Sequence, residues 1–306
     1  MKLKLLFFLL PLFIFAQENE AKGVVLDAKT GAPIPYVNIS IVNSKAGTSS
    51  QEDGSYTLTI YNEDLEKSVR LSSLGYHDKE ITVVDLLKTV KIYLQPSIEE
   101  LNEVLISKKI EDQFLEINPL RKDNIYGGFG AGTRPWNIGL YFPYRANYQQ
   151  TQYLKSLTVH LNEGVFTDQR DSKFRIRLYT VGKDGLPDED LIFQNIIINV
   201  GKDQDLVFID LSRHSVTFPT NGLYVALEGL AIPYNAYEGT TSFVNPEGKR
   251  ETRKITRYAP SFAATSALVR DHKVVFYVDG KWWNYNVNTP ADQKMFIPAI
   301  TLTLSN

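Results

Sequence analysis

The 306-residue chain reads as all-β, a small antiparallel sandwich followed by a larger sandwich of jelly-roll type. Three observations predict this. Apolar residues alternate with polar ones over short runs, which is the period of a strand with one buried face. Turn signals built on Gly, Pro and Asp separate those runs. The pattern then breaks once, between Gln95 and about Asn124, in the charged stretch "PSIEELNEVLISKKIEDQFLEINPLRKDN". A single barrel along the whole chain is the alternative, and this charged break argues against it.

The chain begins "MKLKLLFFLLPLFIFAQENE". Lys2 and Lys4 precede an apolar run from Leu5 to Phe15, and Ala16 precedes a polar stretch, which is the layout of a secretory signal over residues 1–16. The run is shorter than the ~20 residues a bilayer span needs, and Pro11 interrupts it. Removal of the leader is therefore expected, and no later segment is apolar enough to span. The expected address is periplasm, outer-membrane surface or extracellular space. The chain has no cysteine, which excludes disulfides, thiolate metal sites, a Cys nucleophile and the lipid-bearing Cys of a lipoprotein. Its formal net charge of −2 would become −4 without Lys2 and Lys4, which argues against nucleic-acid binding.

In the first sandwich, expected over residues 22–95, "AKGVVLD" leads into the turn "AKTGAP", where Gly31 can take a positive φ and Pro33 and Pro35 stiffen the exit. Val37, Ile39 and Ile41 then alternate with Tyr36, Asn38 and Ser40. Asp53-Gly54 is a turn pair, after which Tyr56, Leu58 and Ile60 line one side of a strand. Further strands are expected at "SVRLSSLGY", "KEITVV" and "TVKIYL", with "NEVLIS" as a closing strand that brings the total to about seven. Only "NEDLEK" and "VVDLLK" offer a helical turn.

Residues 96–124 read as linker apart from that closing strand. The second sandwich is expected over residues 125–306, with about nine or ten strands. Leu157, Val159 and Leu161 alternate with Thr158, His160 and Asn162; Phe174, Ile176 and Leu178 alternate with Arg175, Arg177 and Tyr179; Leu223, Val225 and Leu227 repeat the device. "LIFQNIIINV", "DLVFIDL", "KVVFYV" and "MFIPAITLTL" complete the set, with turns at "GKDGLPDED", "GKDQD" and "VDGKWW".

Four short motifs recur in order: Thr30-Gly31-Ala32-Pro33, Gly47-Thr48, Asp53-Gly54-Ser55-Tyr56 and Gly75-Tyr76. Carried by "GVVLDAKTGAPIPYVNISI", "GTSSQEDGSYTLTI" and "VRLSSLGYHDKEITV", this set resembles the carboxypeptidase regulatory-like domain, a transthyretin-like sandwich. The resemblance implies an exported accessory module, abundant in envelope proteins of the Bacteroidetes and often found at the front of outer-membrane receptors. It implies no peptidase activity. "EELNEVLISKK" looks like the segment that precedes a receptor plug, although no plug or long barrel follows. The second region, through "FRIRLYTVGKDGLPDEDLI" and "LVFIDLSRHSVTF", resembles an uncharacterised sandwich that accompanies this module.

Chemistry-bearing motifs are sparse. "HDKE" gives His77 and Glu80 the H-x-x-E spacing of a zinc carboxypeptidase, with His160 and His214 as third ligands only by counting, but a solvent-facing turn is the simpler reading. "GGFGAGTRPW", with Gly127, Gly128, Gly130 and Gly132, lacks the spacing of a phosphate cradle and reads as a flexible lead-in. No G-x-S-x-G elbow occurs. Asp188, Glu189 and Asp190 sit in a Gly-Pro turn, solvated unless further oxygens converge to make a calcium loop. Lys249, Arg250, Arg253, Lys254 and Arg257 form a basic run that reads as an anion-binding candidate or a solvated hairpin. Trp136, Tyr234, Tyr237, Trp282, Trp283 and Tyr285 are candidates for stacking on a sugar, whose C–H face suits an aromatic ring.

The sequence therefore points to an exported, non-catalytic envelope accessory protein, binding or structural, with the N-terminal module as a docking domain, no metal or other cofactor, and an envelope protein or glycan as partner. A carbohydrate-binding protein using the second-region aromatics is the alternative. A metallopeptidase or glycan hydrolase would need a cluster of carboxylates or histidines that the linear sequence does not display.

Overall fold

The computed structural model describes residues 19–97, 112–130, 134–162, 170–245, 247–278, 280–285 and 288–306, and Tyr126 in its backbone alone. The leader at 1–16 and the "NEVLIS" strand lie outside these residues. The described chain is all-β apart from one short helix and several 3-10 turns.

The first unit contains β1 (Asn19–Asp27), β2 (Asn38–Ile41), β3 (Gly47–Ser49), β4 (Ser55–Ile60), β5 (Ser68–Ser72), β6 (Lys79–Thr82) and β7 (Lys91–Leu94). They form two sheets, ordered β4-β1-β7 and β3-β2-β5-β6. β1 runs antiparallel to β4 but parallel to β7, so the sandwich is not wholly antiparallel. β6 stops at Thr82, whose hydroxyl accepts the Asp85 amide at 3.0 Å and caps α1 (Val83–Lys88), the "VVDLLK" turn. Val37, Ile39, Ile41, Tyr56, Leu58 and Ile60 join Val69, Leu71, Ile92 and Leu94 in one buried core, each side chain contributing on the order of 1.5–3 kcal/mol by leaving water.

Residues of three of the four motifs lie around the end of β1, whereas Gly47-Thr48 lies against the second unit. Asp27 Oδ1 accepts the Lys29 and Thr30 amides at 2.7 and 2.8 Å, and its Oδ2 accepts the Tyr76 hydroxyl at 2.9 Å. Gly54, at φ 76°, lies so close to Val25 O that a Cβ would stand 2.7 Å from it, so only glycine fits.

The second unit begins with β8 (Phe114–Ile117), β9 (Ile125–Phe129), β10 (Trp136–Phe142), β11 (Tyr153–His160), β12 (Ser172–Val181) and β13 (Pro187–Asp190). It continues through β14 (Ile196–Val200), β15 (Leu206–Asp210), β16 (Leu223–Gly229), β17 (Ala236–Val244) and β18 (Arg250–Tyr258). It ends with β19 (Phe262–Leu268), β20 (Val274–Val278), β21 (Lys281–Asn284), β22 (Lys294–Pro298) and β23 (Ile300–Ser305). The large sheet is ordered β13-β12-β16-β10-β20-β21, with β14 also on β12; β15-β11-β23-β8 and β22-β19-β9 face it, and β17-β18 is a separate hairpin. Phe174, Ile176, Leu178, Val225 and Leu227 pack against Leu157, Val159, Ile300 and Leu302 in the shared core.

Two readings change here. The second sandwich starts before residue 125, because β8 pairs with β23 and sets Leu115 and Ile117 against the core while Phe114 and Glu116 face outward. Charged neighbours conceal that four-residue alternation. Ile125–Phe129 is not a flexible lead-in but strand β9 on β19, where Gly128 leaves room for the Asn162 side chain.

Candidate functional site

The large sheet has a second face. Strand alternation sends Phe174, Ile176 and Leu178 inward and Arg175, Arg177 and Tyr179 outward; β16 turns Tyr224, Ala226 and Glu228 outward, and β10 turns Asn137 and Gly139 outward. The register then sets Arg175, Glu228, Asn137, Tyr277 and Trp282 side by side across five strands. The first unit lies over one part of this face. An open cleft lies over the next.

Under the first unit the face is sealed. Arg175 and Glu228 are both fully buried, with Nη2 2.8 Å from Oε1. The same Nη2 donates to Tyr36 O at 2.6 Å, and Nη1 donates to Asn195 Oδ1 at 2.8 Å. Glu228 Oε1 also accepts Asn38 Nδ2 at 2.6 Å. Backbone bonds add to the seam: Ser49 N donates to Ala231 O at 3.0 Å, and the Thr48 hydroxyl donates to the same oxygen at 3.2 Å. Tyr36, Leu230 and Ile232 form a small apolar cluster beside it. Gly47 lets the surfaces close, since a Cβ there would stand 2.9 Å from Arg134 Cβ. Burying two charges costs several kcal/mol per ion unless geometry and further hydrogen bonds compensate; the shared partners supply part of this, while Arg175 Nε and Glu228 Oε2 have no partner among the described residues. Asn137, beside Glu228, has neither amide atom bonded to any described residue; it lines a small recess of about 20 Å³, room for one water molecule.

Beside the seam, a cleft of about 250 Å³ has one wall from each unit. On the sheet side, Arg177 makes a forked pair with Asp190, Nε to Oδ1 at 2.9 Å and Nη2 to Oδ2. Its guanidinium lies 4.8 Å from the Tyr179 ring centre. Burial opposes the Arg177 charge, and Tyr179 and Asp190 more than offset it. Trp282 reaches in from the edge strand across Gly139, whose missing side chain clears the lane, and meets Tyr277 and Tyr179 at ring separations of 5.1 and 5.4 Å. Opposite stand the loop Ser72–Tyr76 and Asp78. Asp78 is open to solvent at the mouth, yet desolvation raises its pKa while Arg70 and Arg177 pull it down.

Residues 21–106 carry a CarboxypepD_reg-like domain. Over 98 residues the chain is 30% identical to the TonB-dependent receptor P3 of Formosa agariphila, a match covering 32% of this chain and 10% of that receptor. The chain thus spans about a tenth of the length of the curated relative it matches. Among solved structures, the major pilin subunit of Bacillus cereus aligns at 8% identity over 95% of both chains with a TM-score of 0.18. A structure of infectious bursal disease virus aligns at 10% identity over 95% of this chain and 59% of that one, with a TM-score of 0.20. Likenesses at these scores carry no structural argument.

Of the six aromatic candidates, Trp282 alone lines the cleft with the CarboxypepD_reg-like domain. Trp136 belongs to the core, stacked on Phe276 at 5.6 Å and 8% exposed. Trp283 pairs with Phe276 across the sheet and so faces the side opposite Trp282, 58% exposed. Tyr285 stands edge-on to Phe276 on that same side. Tyr234 lies near the rim of the seam under Lys173 Nζ, and Tyr237 lies at the base of the hairpin. Trp282, Trp283 and Tyr234 therefore do not converge.

The basic candidates belong to the β17-β18 hairpin and its turn. Alternation sends Arg253 and Arg257 to one face and Arg250 and Lys254 to the other, while Lys249 precedes β18. Arg257 donates to Thr240 O, Lys254 pairs with Glu238 at 2.9 Å, and Arg253 lies over Phe243, so the charges do not form one patch. Glu80 bonds the Ser68 hydroxyl and faces Arg70 rather than His77. Among the described residues no three His, Asp or Glu side chains are grouped to hold a metal ion. Asp188, Glu189 and Asp190 belong to strand β13, with Asp190 held by Arg177. Arg177, Tyr179, Tyr277 and Ser73 were not singled out by sequence, although the alternation in "FRIRLYT" already placed Arg175, Arg177 and Tyr179 on one face.

Proposed function

We propose that the protein is an exported, non-catalytic envelope accessory protein in which the CarboxypepD_reg-like domain docks in cis, forming one rigid body with the second sandwich. The observation that carries this reading is the sealed seam, with the Arg175–Glu228 pair at zero exposure and tied to Tyr36 O and Asn38 of the first domain. Docking takes both charges out of water, and the cross-domain bonds to Tyr36 O and from Asn38, which exist only in the docked state, offset that cost. Support for the envelope address comes from the leader-like N-terminus and from the match to the TonB-dependent receptor P3 of Formosa agariphila. No helix among the described residues is long and apolar enough to cross a membrane.

Unfolding of the chain in urea tests the rigid pairing. All three tryptophans, Trp136, Trp282 and Trp283, lie in the second sandwich, so their fluorescence reports that sandwich while far-ultraviolet circular dichroism reports both. One rigid body gives coincident midpoints. Separate midpoints would mean that the domains are independent. Cell fractionation with envelope markers tests the address.

A further inference from the structure

We propose that the cleft between the two domains is a binding site for a neutral saccharide. Four features converge on that chemistry. Trp282 and Tyr277, backed by the buried Tyr179, give one wall an aromatic surface, which suits the C–H face of a pyranose. Ser73, in the opposite wall, is only 7% exposed, and its hydroxyl has no hydrogen-bond partner among the described residues. Buried polar groups are normally satisfied, and this hydroxyl oxygen, itself shielded from solvent, would be met only by a group seated directly against it. The carboxylates of Asp78, Asp188 and Glu189 line the cleft without a hydrogen bond from any described residue, and a diol donates to such oxygens. The Arg177 fork holds Asp190 in a fixed orientation.

Charge narrows the ligand further. The acidic lining residues Asp78, Asp188, Glu189 and Asp190 outnumber the cations Arg177 and, acting on Asp78, Arg70, so an anionic ligand is disfavoured. A cationic ligand would find the Tyr179 ring already occupied by the Arg177 guanidinium at 4.8 Å. A neutral polyol uses acceptors and donors alike. At about 250 Å³ the cleft falls just below the ~300–1,000 Å³ of drug-sized pockets, a size for a monosaccharide or the end of a short oligosaccharide.

Saturation-transfer difference NMR on the full chain tests the site, using neutral hexoses, pentoses, N-acetylhexosamines and their disaccharides, with glucuronic acid and a lysine-rich peptide as competing arms. The expected result is transfer to the ring C–H protons of at least one neutral sugar. Trp282→Ala should weaken that binding about tenfold, while Trp283→Ala, on the opposite face of the same strand, should leave it unchanged. Asp78→Ala, at an exposed position that disturbs no core, should weaken it several-fold and keeps the test valid if the tryptophan variant misfolds. Absence of transfer to any neutral sugar overturns the proposal. So does binding that survives both Trp282→Ala and Asp78→Ala, loss that follows Trp283→Ala equally, or binding of the acidic sugar or the peptide alone. Because each domain supplies a wall, the inference rests on the rigid pairing; coincident unfolding on the same preparation separates failure of the pairing from failure of the site.

Discussion

Arg175 and Arg177 stand two residues apart on the same face of β12, each against a carboxylate, yet one seals and the other lines an opening. Arg175 and Glu228 are fully buried; Arg177 and Asp190 keep 15% and 13% side-chain exposure. The chemistry of the pairs is alike. What differs is the cover: Asn38 and the Tyr36 carbonyl close over Arg175, whereas the loop Ser72–Tyr76 stands away from Arg177. A charged pair on an outward row is therefore structural or ligand-facing according to the neighbouring domain, not according to its own strand.

The largest expected effect follows from removing one partner of the sealed pair. Arg175→Ala leaves Glu228 buried without its counter-charge and should cost about 3–5 kcal/mol in urea unfolding. The double variant Arg175→Met with Glu228→Leu should recover most of that loss, because a well-packed apolar pair of similar size replaces the charges. If the double variant is as unstable as the single one, the pair is doing more than offsetting its own desolvation. Next comes Asn38→Ala, which removes a buried donor to Glu228 and should cost about 1–3 kcal/mol, with fluorescence and circular dichroism midpoints separating if the seam opens. Arg177→Ala should cost less than Arg175→Ala, on the order of 1–2 kcal/mol, because water reaches Asp190 once the guanidinium is gone. Equal losses at the two arginines would erase the contrast.

Much of this fold was legible in the sequence because local rules and tertiary packing agree there. Val37, Ile39 and Ile41 alternate and are buried; the turns at Thr30-Gly31 and Asp53-Gly54 fix the chain locally, and both hold in the structure. β8 was not legible, since four residues among charges give periodicity too little length to register. The candidate site was only half legible. Alternation predicted that Tyr36, Asn38, Arg175 and Arg177 would share the polar faces of their strands, but it treats a polar face as wet. Which of those faces meets another domain depends on contacts between residues more than a hundred positions apart, such as Asn38 with Glu228. Trp282 and Trp283 show the limit from the other side, because adjacent residues of one type on a strand must face opposite ways.

The smallest effect concerns two carboxylates whose protonation should pull stability in opposite directions. Hydrogen bonds from Thr30 above all, with Tyr76 and Lys29, hold the Asp27 carboxyl below its ordinary value near 3.8. Its folded pKa is thus lower than its unfolded one, so it contributes stability above the ordinary value and loses it as pH falls through the depressed one. Asp78 is the reverse: desolvation raises its folded pKa, so between the two values the folded state binds more protons and stability declines as pH rises through that window. Melting temperatures from pH 3 to 7 should therefore show Asp27→Ala destabilised at neutral pH with a loss that shrinks in acid, and Asp78→Asn slightly stabilised at neutral pH with a gain that vanishes in acid. If Asp78→Asn were instead destabilising at pH 7, Asp78 would belong with Asp27 and Arg175 among the groups that hold the fold.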